Sequence, residues 1–233
     1  MIKAVSNKIG GGIESYLKRI FGLMTGAVAI TALTTFVMLF TGAFNALITS
    51  SGGLSATYYI IAFGGFGLSI WAQMRAFSMK PSTAKILLFL YSVLMGVALT
   101  PMILVSSWQS IIIALVLAAI MFACMALFGY KTVKDLSFLG VFLFMGMIGL
   151  ILVGIISLFT GPLGVIFNQI VCLIGVLIFA LFAAYDMQTL KNAYYTLGNG
   201  EQKDQLAVLG ALHMYISFVA MFEYILGLLN SRN

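Results

Sequence analysis

The sequence contains very little charge. Only 8% of its 233 residues are Asp, Glu, Lys or Arg, and only six of them are acidic. A soluble domain carries about 25% charged residues, so this composition excludes a soluble globular protein. Hydrophobic residues make up 62% of the chain. The sequence therefore predicts an integral membrane protein.

Cysteines and catalytic motifs are also scarce. Cys124 and Cys172 both fall inside apolar runs, which favours buried free thiols over a disulfide or a metal pair. The chain has no Gly-x-Ser-x-Gly, His-Glu-x-x-His, P-loop or Cys-x-x-Cys motif. Ser217 and His213 lie close in sequence but lack an evident oxyanion hole, and a diaspartyl protease would need a second aspartate beside Asp186. We expect neither enzymatic activity nor a cofactor.

The net charge of +6 is not arranged for nucleic-acid binding. No Lys/Arg cluster interleaves with aromatic residues, so we expect no nucleic-acid partner. Basic residues lie instead at the ends of apolar stretches, where they set the orientation of membrane helices.

Seven apolar stretches approach the length of about 20 residues that a helix needs to cross a bilayer. They are continuous rather than alternating, which favours helices over a β-barrel. We predict an all-α integral membrane protein, a single seven-helix domain over residues 1–233 with an amino-terminal tail at 1–19. The predicted spans are 21–43, 55–74, 86–107, 110–130, 137–159, 164–185 and 206–229.

The links between these spans alternate between charged and uncharged. The charged links are the amino-terminal tail, 75–85, 131–135 and 191–204, and the uncharged links are 44–54, 106–109 and 160–163. Because positive loops stay in the cytoplasm, this pattern predicts a cytoplasmic amino terminus and an external carboxyl terminus. The short loops suit a bacterial cell inner membrane.

Glycines at close spacing, as in Gly22-x-x-x-Gly26 and Gly64-Gly65-x-Gly67, predict sites where helices approach closely.

Arg75 and Asp186 are the ionisable pair of greatest interest. A carboxylate within the bilayer costs about 2.5 to 3.5 kcal/mol, so Asp186 is a functional candidate by default. The second and sixth spans both run toward the cytoplasm, which places the two residues near the same interface. An arginine beside the aspartate would keep it ionised, forming a latch that a proton or a competing cation opens. The alternative is that both side chains snorkel to the interface without meeting.

The seventh predicted span carries two further ionisable residues. His213 shares one helix face with Ser217, four residues later. Glu223 lies off that face and roughly 9 Å farther outward. His213 is either a hydrogen-bonded structural residue or a proton relay. Glu223 faces either another helix or the outer headgroups, and both residues are candidate accessory groups.

Three motifs resemble those of the transmembrane Bax inhibitor motif family. They are Lys134-Asp135-Leu136-Ser137, Ala184-Tyr185-Asp186-Met187-Gln188 and Leu209-Gly210-Ala211-Leu212-x-Met-Tyr-Ile-x-Phe. The resemblance covers nearly the whole chain. It implies six helices around a central one and a pH-sensitive Ca²⁺ leak closed by two aspartates that share a proton. Asp186 matches the first of these aspartates, and Arg75 matches the arginine that pairs with the site.

The chain departs from the family pattern at Ser217. The family reads Leu-Tyr-Leu-Asp-Phe-Ile-Asn where this chain reads Met-Tyr-Ile-Ser-Phe-Val-Ala. A shared proton requires two acids so close that both cannot ionise. Ser217 can exchange a hydrogen bond with Asp186 but adds no charge, so a Ca²⁺ site at Asp186 would lose one carboxylate ligand.

The leading hypothesis is a non-enzymatic cation leak, with Ca²⁺ or H⁺ passing Asp186 and Arg75. The alternative hypothesis is a non-conducting regulator that binds membrane partners such as a membrane protease or cell-death proteins. A proton-coupled carrier is less favoured, because the sequence has no clear inverted repeat.

Overall fold

The structure is a computed structural model that describes residues 2–49, 53–74, 79–161, 164–196 and 200–231. Seven α-helices account for most of these residues, and a 3₁₀ helix at Ala43–Leu47 lies between the first and the second of them. No β-strand occurs in the described ranges, and the predicted all-α class is confirmed. The helices are α1 (Ile2–Phe40), α2 (Ala56–Met74), α3 (Pro81–Leu104), α4 (Trp108–Lys131), α5 (Ser137–Thr160), α6 (Val165–Thr196) and α7 (Gly200–Asn230).

Six of these helices are long and apolar enough to cross a membrane. The candidate spans are Gly12–Phe40, Pro81–Leu104, Trp108–Lys131, Ser137–Ser157, Val165–Thr196 and Gln202–Asn230. Helix α2 coincides with the predicted second span, 55–74, but is not among the six. A seventh crossing at α2 therefore stays a prediction.

Two helices extend well past their predicted spans. The apolar span of α1 begins at Gly12, whereas the sequence places it at residue 21. Helix α6 continues to Thr196, whereas the predicted span ends at residue 185. Hydropathy marks only the part of a helix that needs lipid, and residues such as Lys, Gln and Leu continue the helix beyond it.

The first of two compact units comprises Met1–Val105 and Tyr194–Tyr215. Its α1 packs against α3, where Gly96 permits a close approach: a Cβ at this position would lie 2.6 Å from the Cβ of Thr34. Residues of α1 spaced three or four apart form one buried stripe, as expected for a helix that buries a single face. The stripe consists of Ile13, Tyr16, Ile20, Met24, Ala27, Thr31 and Thr35.

Hydroxyl groups connect the helices of this first unit. Thr31 Oγ1 lies 2.6 Å from Tyr215 Oη and 3.0 Å from the carbonyl oxygen of Ser92. Thr35 Oγ1 donates to the carbonyl oxygen of Gly96 at 2.8 Å. Hydrogen bonds between membrane helices contribute about 0.6 to 1.7 kcal/mol each. These hydroxyls therefore stabilise the packing of α1, α3 and α7.

The second unit comprises Ser106–Ala193 and Ile216–Asn233. Helix α4 approaches α6 at Gly129, where an added Cβ would clash with the carbonyl oxygen of Ala184. Both cysteines are free, and Cys172 is buried as predicted. The prediction that Cys124 is buried is wrong, because its side chain is exposed on α4. An apolar run does not reveal which of its faces meets lipid.

The glycines that approach other helices are not those the spacing indicates. Gly22, Gly64 and Gly67 have open space where a Cβ would lie, so the prediction of packing there is wrong. Gly26 and Gly65 make only ordinary contacts. The close approaches occur at isolated glycines, because contact depends on the helix face rather than on the spacing.

Burial differs sharply among the apolar helices. In the most apolar window of α7, 78% of residues are buried, against 11 to 33% in the other candidate spans. Helices α4 and α5 expose many large apolar side chains, as surfaces that face hydrocarbon do. Helix α7 is thus the most enclosed of the six candidate spans.

Candidate functional site around Asp186

Asp186 lies within α6 rather than at its end. The sequence places it just after a span that closes at Tyr185, but the helix continues to Thr196. The Asp186 side chain is buried, with 8% of its surface exposed. The carboxylate is therefore held inside the protein and does not point into lipid or bulk water.

Ser217 of α7 contacts this carboxylate. Its Oγ donates a hydrogen bond to Asp186 Oδ2 at 3.3 Å, and the serine itself is 3% exposed. A hydroxyl can donate to an ionised carboxylate and can accept from a protonated one. The contact can consequently persist in both protonation states of Asp186, with the direction of the hydrogen bond reversed.

The described part of the chain shows no metal-binding cluster of acidic, His or Cys side chains at Asp186. Among the described residues, no group of three or more His, Cys, Asp or Glu side chains could hold a metal ion. Ca²⁺ takes six to eight oxygen ligands, commonly including carboxylates. Among the described residues, the contact at this site joins a carboxylate oxygen of Asp186 and the hydroxyl of Ser217.

The remaining predicted site residues have different outcomes. Arg75 lies outside the described residues, so its pairing with Asp186 stays a prediction. His213 is half-buried on α7 in the first unit, and Glu223 is half-buried on α7 in the second. Of the predicted residues, the structure brings together Asp186 and Ser217.

Gln188, two residues after Asp186, links two of the sequence motifs. Its Nε2 donates to the carbonyl oxygen of Lys134 at 2.8 Å, and its Oε1 accepts from the backbone N–H of Leu136 at 2.8 Å. One amide therefore satisfies both a donor and an acceptor of the α4–α5 link. Sequence analysis missed this role, although Gln188 stands within the motif that carries Asp186.

Lys191, about one turn farther along α6, also bonds to backbone groups around the α4–α5 link. Its Nζ donates to the carbonyl oxygens of Tyr130 at 2.8 Å and Thr132 at 3.4 Å. A cation here complements the partial negative charge at the carboxyl end of α4. Gln188 and Lys191 together fix α6 against the link that joins α4 to α5.

Asp135 is the acidic residue of the Lys-Asp-Leu-Ser motif, and its hydrogen bonds explain why an acid stands there. Its Oδ1 accepts from the hydroxyl and the backbone N–H of Ser137, at 2.6 and 2.9 Å. The side-chain bond and then the backbone bond lower the pKa of Asp135 below its ordinary value of 3.8. The motif residue is exposed and stabilises the start of α5, so its role is structural.

These features define a multi-pass helical membrane protein with a buried carboxylate on one of its helices. The sequence profile of the family described as inhibitor of apoptosis-promoting Bax1 matches residues 13–233. The chain therefore belongs to the Bax inhibitor family, as the three motifs predict.

Bacterial proteins are similar to this chain over most of its length. Inner membrane protein YbhL of Escherichia coli K12 is 30% identical over 229 residues, covering 95% of this chain and 93% of YbhL. Protein RP147 of Rickettsia prowazekii is 29% identical over 221 residues, covering 95% and 91%. A protein of Caulobacter vibrioides is 35% identical over 175 residues, covering 75% and 69%.

Proposed function

We propose that this protein is a non-enzymatic cation leak in which Ca²⁺ passes Asp186, and that the protonation state of this residue controls the passage. The observation that carries the proposal is the buried carboxylate in contact with the Ser217 hydroxyl. Burying a carboxylate in a membrane helix is costly, and acids so placed mark ion and proton pathways.

Arg75 completes the proposed gate. The sequence orientation places it near the same interface as Asp186, and an arginine there would neutralise the carboxylate and close the pathway. A proton on Asp186 or a competing cation would release the pair. His213 and Glu223 are the candidate accessory groups for proton movement along α7.

The proposed setting is a bacterial cell inner membrane with the amino terminus in the cytoplasm. The alternation of charged and uncharged links supports this orientation, and YbhL supports the location. The family architecture, six helices around a central one, would make α2 the seventh span and α7 the central helix. The enclosure of α7 supports that arrangement.

The test is Ca²⁺ efflux from liposomes that contain only the purified protein. We expect a measurable leak from the wild type and a different leak from Asp186→Asn, which cannot ionise. Thr31→Val is the matched control, because it removes a buried hydroxyl that bonds α7 in the first unit. An equal leak from wild type and Asp186→Asn at every pH would exclude Asp186 as the gate.

The alternative function is a non-conducting regulator that binds membrane partners such as a membrane protease or cell-death proteins. The observation that favours it is Ser217 at the position of the family's second aspartate, where the side chain adds no charge beside Asp186. Co-purification of one stable partner, together with no Ca²⁺ efflux from pure liposomes, would support the regulator and overturn the leak.

A further inference from the structure

An apolar groove of about 600 Å³ runs along the second unit. Its walls come from α4, α6 and α7, and Gln169 is the one polar residue among the described residues that line it. Protein pockets that bind small ligands have volumes of about 300 to 1,000 Å³. The groove is therefore large enough for a ligand, and its chemistry favours a hydrocarbon.

The length of the groove matches one leaflet of a bilayer. It follows α6 from Ile166, beside the start of the helix, to Leu177, a rise of about 16 Å. Half of the bilayer hydrocarbon core is about 15 Å thick. An apolar groove of this length matches one acyl chain that runs from the membrane surface to the midplane.

Gln169 lines the end of the groove at the start of α6, and other uncharged polar side chains are its neighbours in sequence or hydrogen-bond partners. Gln169 Nε2 donates to the carbonyl oxygen of Ser231 at 3.4 Å, and Asn168 Nδ2 donates to Ser231 Oγ at 3.0 Å. Nearby on the same unit, Asn230 Nδ2 donates to Ser106 Oγ at 2.7 Å. Amides and hydroxyls suit the ester carbonyls of a glycerolipid, which lie where the acyl chains begin.

We propose that this groove binds one acyl chain of a glycerophospholipid, with the ester region at Gln169 and Asn168 and the methyl end near Leu177 and Met121. This lipid site is separate from the carboxylate site and does not depend on the proposed leak. A second copy of the chain seated in the groove is the competing occupant.

Photolabelling in detergent-free nanodiscs tests the proposal. The probes are two phosphatidylcholines, one with a diazirine near the ester and one with a diazirine at the end of the chain. In the wild type we expect the first to label the peptide around Ile166 and Gln169, and the second the peptides around Leu177 and Met121. Labelling spread evenly over the exposed faces of α4 and α5, with no dependence on probe position, would overturn the proposal.

Two neighbouring substitutions provide the matched comparison. Leu173 lines the groove and is 54% exposed, whereas Ile174 lies outside it and is 45% exposed. Leu173→Trp should fill the groove and lower labelling by about tenfold, while Ile174→Trp should leave it unchanged. Equal labelling of the two variants would overturn the acyl-chain site. Chemical cross-linking of the protein in the same nanodiscs tests the competing occupant: a cross-linked dimer that disappears in Leu173→Trp while lipid labelling persists would also overturn the site.

Discussion

Two of the buried polar contacts that α7 makes in the described part of the chain differ in one respect. In the first unit its Tyr215 meets the Thr31 hydroxyl at 2.6 Å, and in the second its Ser217 donates to the Asp186 carboxylate at 3.3 Å. The first contact joins two neutral groups, and Thr31 also has backbone acceptors at Ala27 and Ser92. The second includes a group whose charge is costly in a membrane. Helix packing is a sufficient explanation for the neutral hydroxyls, whereas the cost of burying a carboxylate calls for a further role of Asp186.

The largest expected effects come from substituting the two glycines at the close helix approaches near these contacts, Gly96 against α1 and Gly129 against α6. Gly96→Ala and Gly129→Ala would each force two helices apart and cost about 1 to 3 kcal/mol. Both should lower the melting temperature in detergent, but only Gly129→Ala should alter Ca²⁺ leak, because Ala184 and Asp186 are on the same turn of α6. Gly149→Ala is the control, since a Cβ there meets open space. An unchanged leak in a folded Gly129→Ala protein would separate the Asp186 site from α4 packing.

Gln188 gives the next largest effect. Gln188→Leu leaves the buried N–H of Leu136 without its amide partner, at a cost of about 1 to 3 kcal/mol, whereas water can replace the amide at the carbonyl oxygen of the exposed Lys134. Gln188→Glu keeps the acceptor for Leu136 and should fall between the wild type and the Leu variant. Thermal melting and limited proteolysis of the α4–α5 link measure the effect. Equal melting temperatures for all three proteins would contradict the role of Gln188 in holding α6 against the α4–α5 link.

Substitution of the two hydroxyls separates packing from gating. Thr31→Val and Ser217→Ala should each cost about 0.6 to 1.7 kcal/mol, as single hydrogen bonds between membrane helices do. Thr31→Val should leave the pH dependence of Ca²⁺ leak unchanged, whereas Ser217→Ala should shift it. If both variants behaved alike in the leak assay, the contrast between the two contacts would be lost.

The smallest effect concerns Asp135, which lies outside both contacts. Its pKa is lower in the folded protein, so its contribution is complete above the unfolded pKa and disappears as pH falls through the folded value. Asp135→Asn should therefore be slightly less stable than the wild type at neutral pH and lose less stability on acidification, so that the two proteins converge below about pH 4. Melting temperatures between pH 3 and 7 test this prediction. Parallel curves for the two proteins would show that the Ser137 bonds do not contribute.

The sequence predicts the helical class and Asp186 because both depend on properties that need no neighbours. A continuous apolar run specifies a membrane helix, and a charge within it is costly wherever the other helices lie. Ser217 is found through the family motif, since its position relative to Asp186 depends on how α6 and α7 pack.

The attachment by Gln188 and the close glycines could not be predicted in the same way. A glutamine amide can bond to many backbone groups, and only the folded chain selects the α4–α5 link. The chain has 24 glycines, and Gly129 differs from Gly22 only in the surface it faces. The exposure of Cys124 is likewise decided by the packing of α4.

Ca²⁺ efflux as a function of pH, compared between wild type and Asp186→Asn in identical liposomes, tests the role of the carboxylate most directly. A wild-type leak that changes with pH and a variant leak that does not are the predicted results. Two superimposed pH profiles would contradict the account and leave the Asp186–Ser217 contact as one more packing interaction.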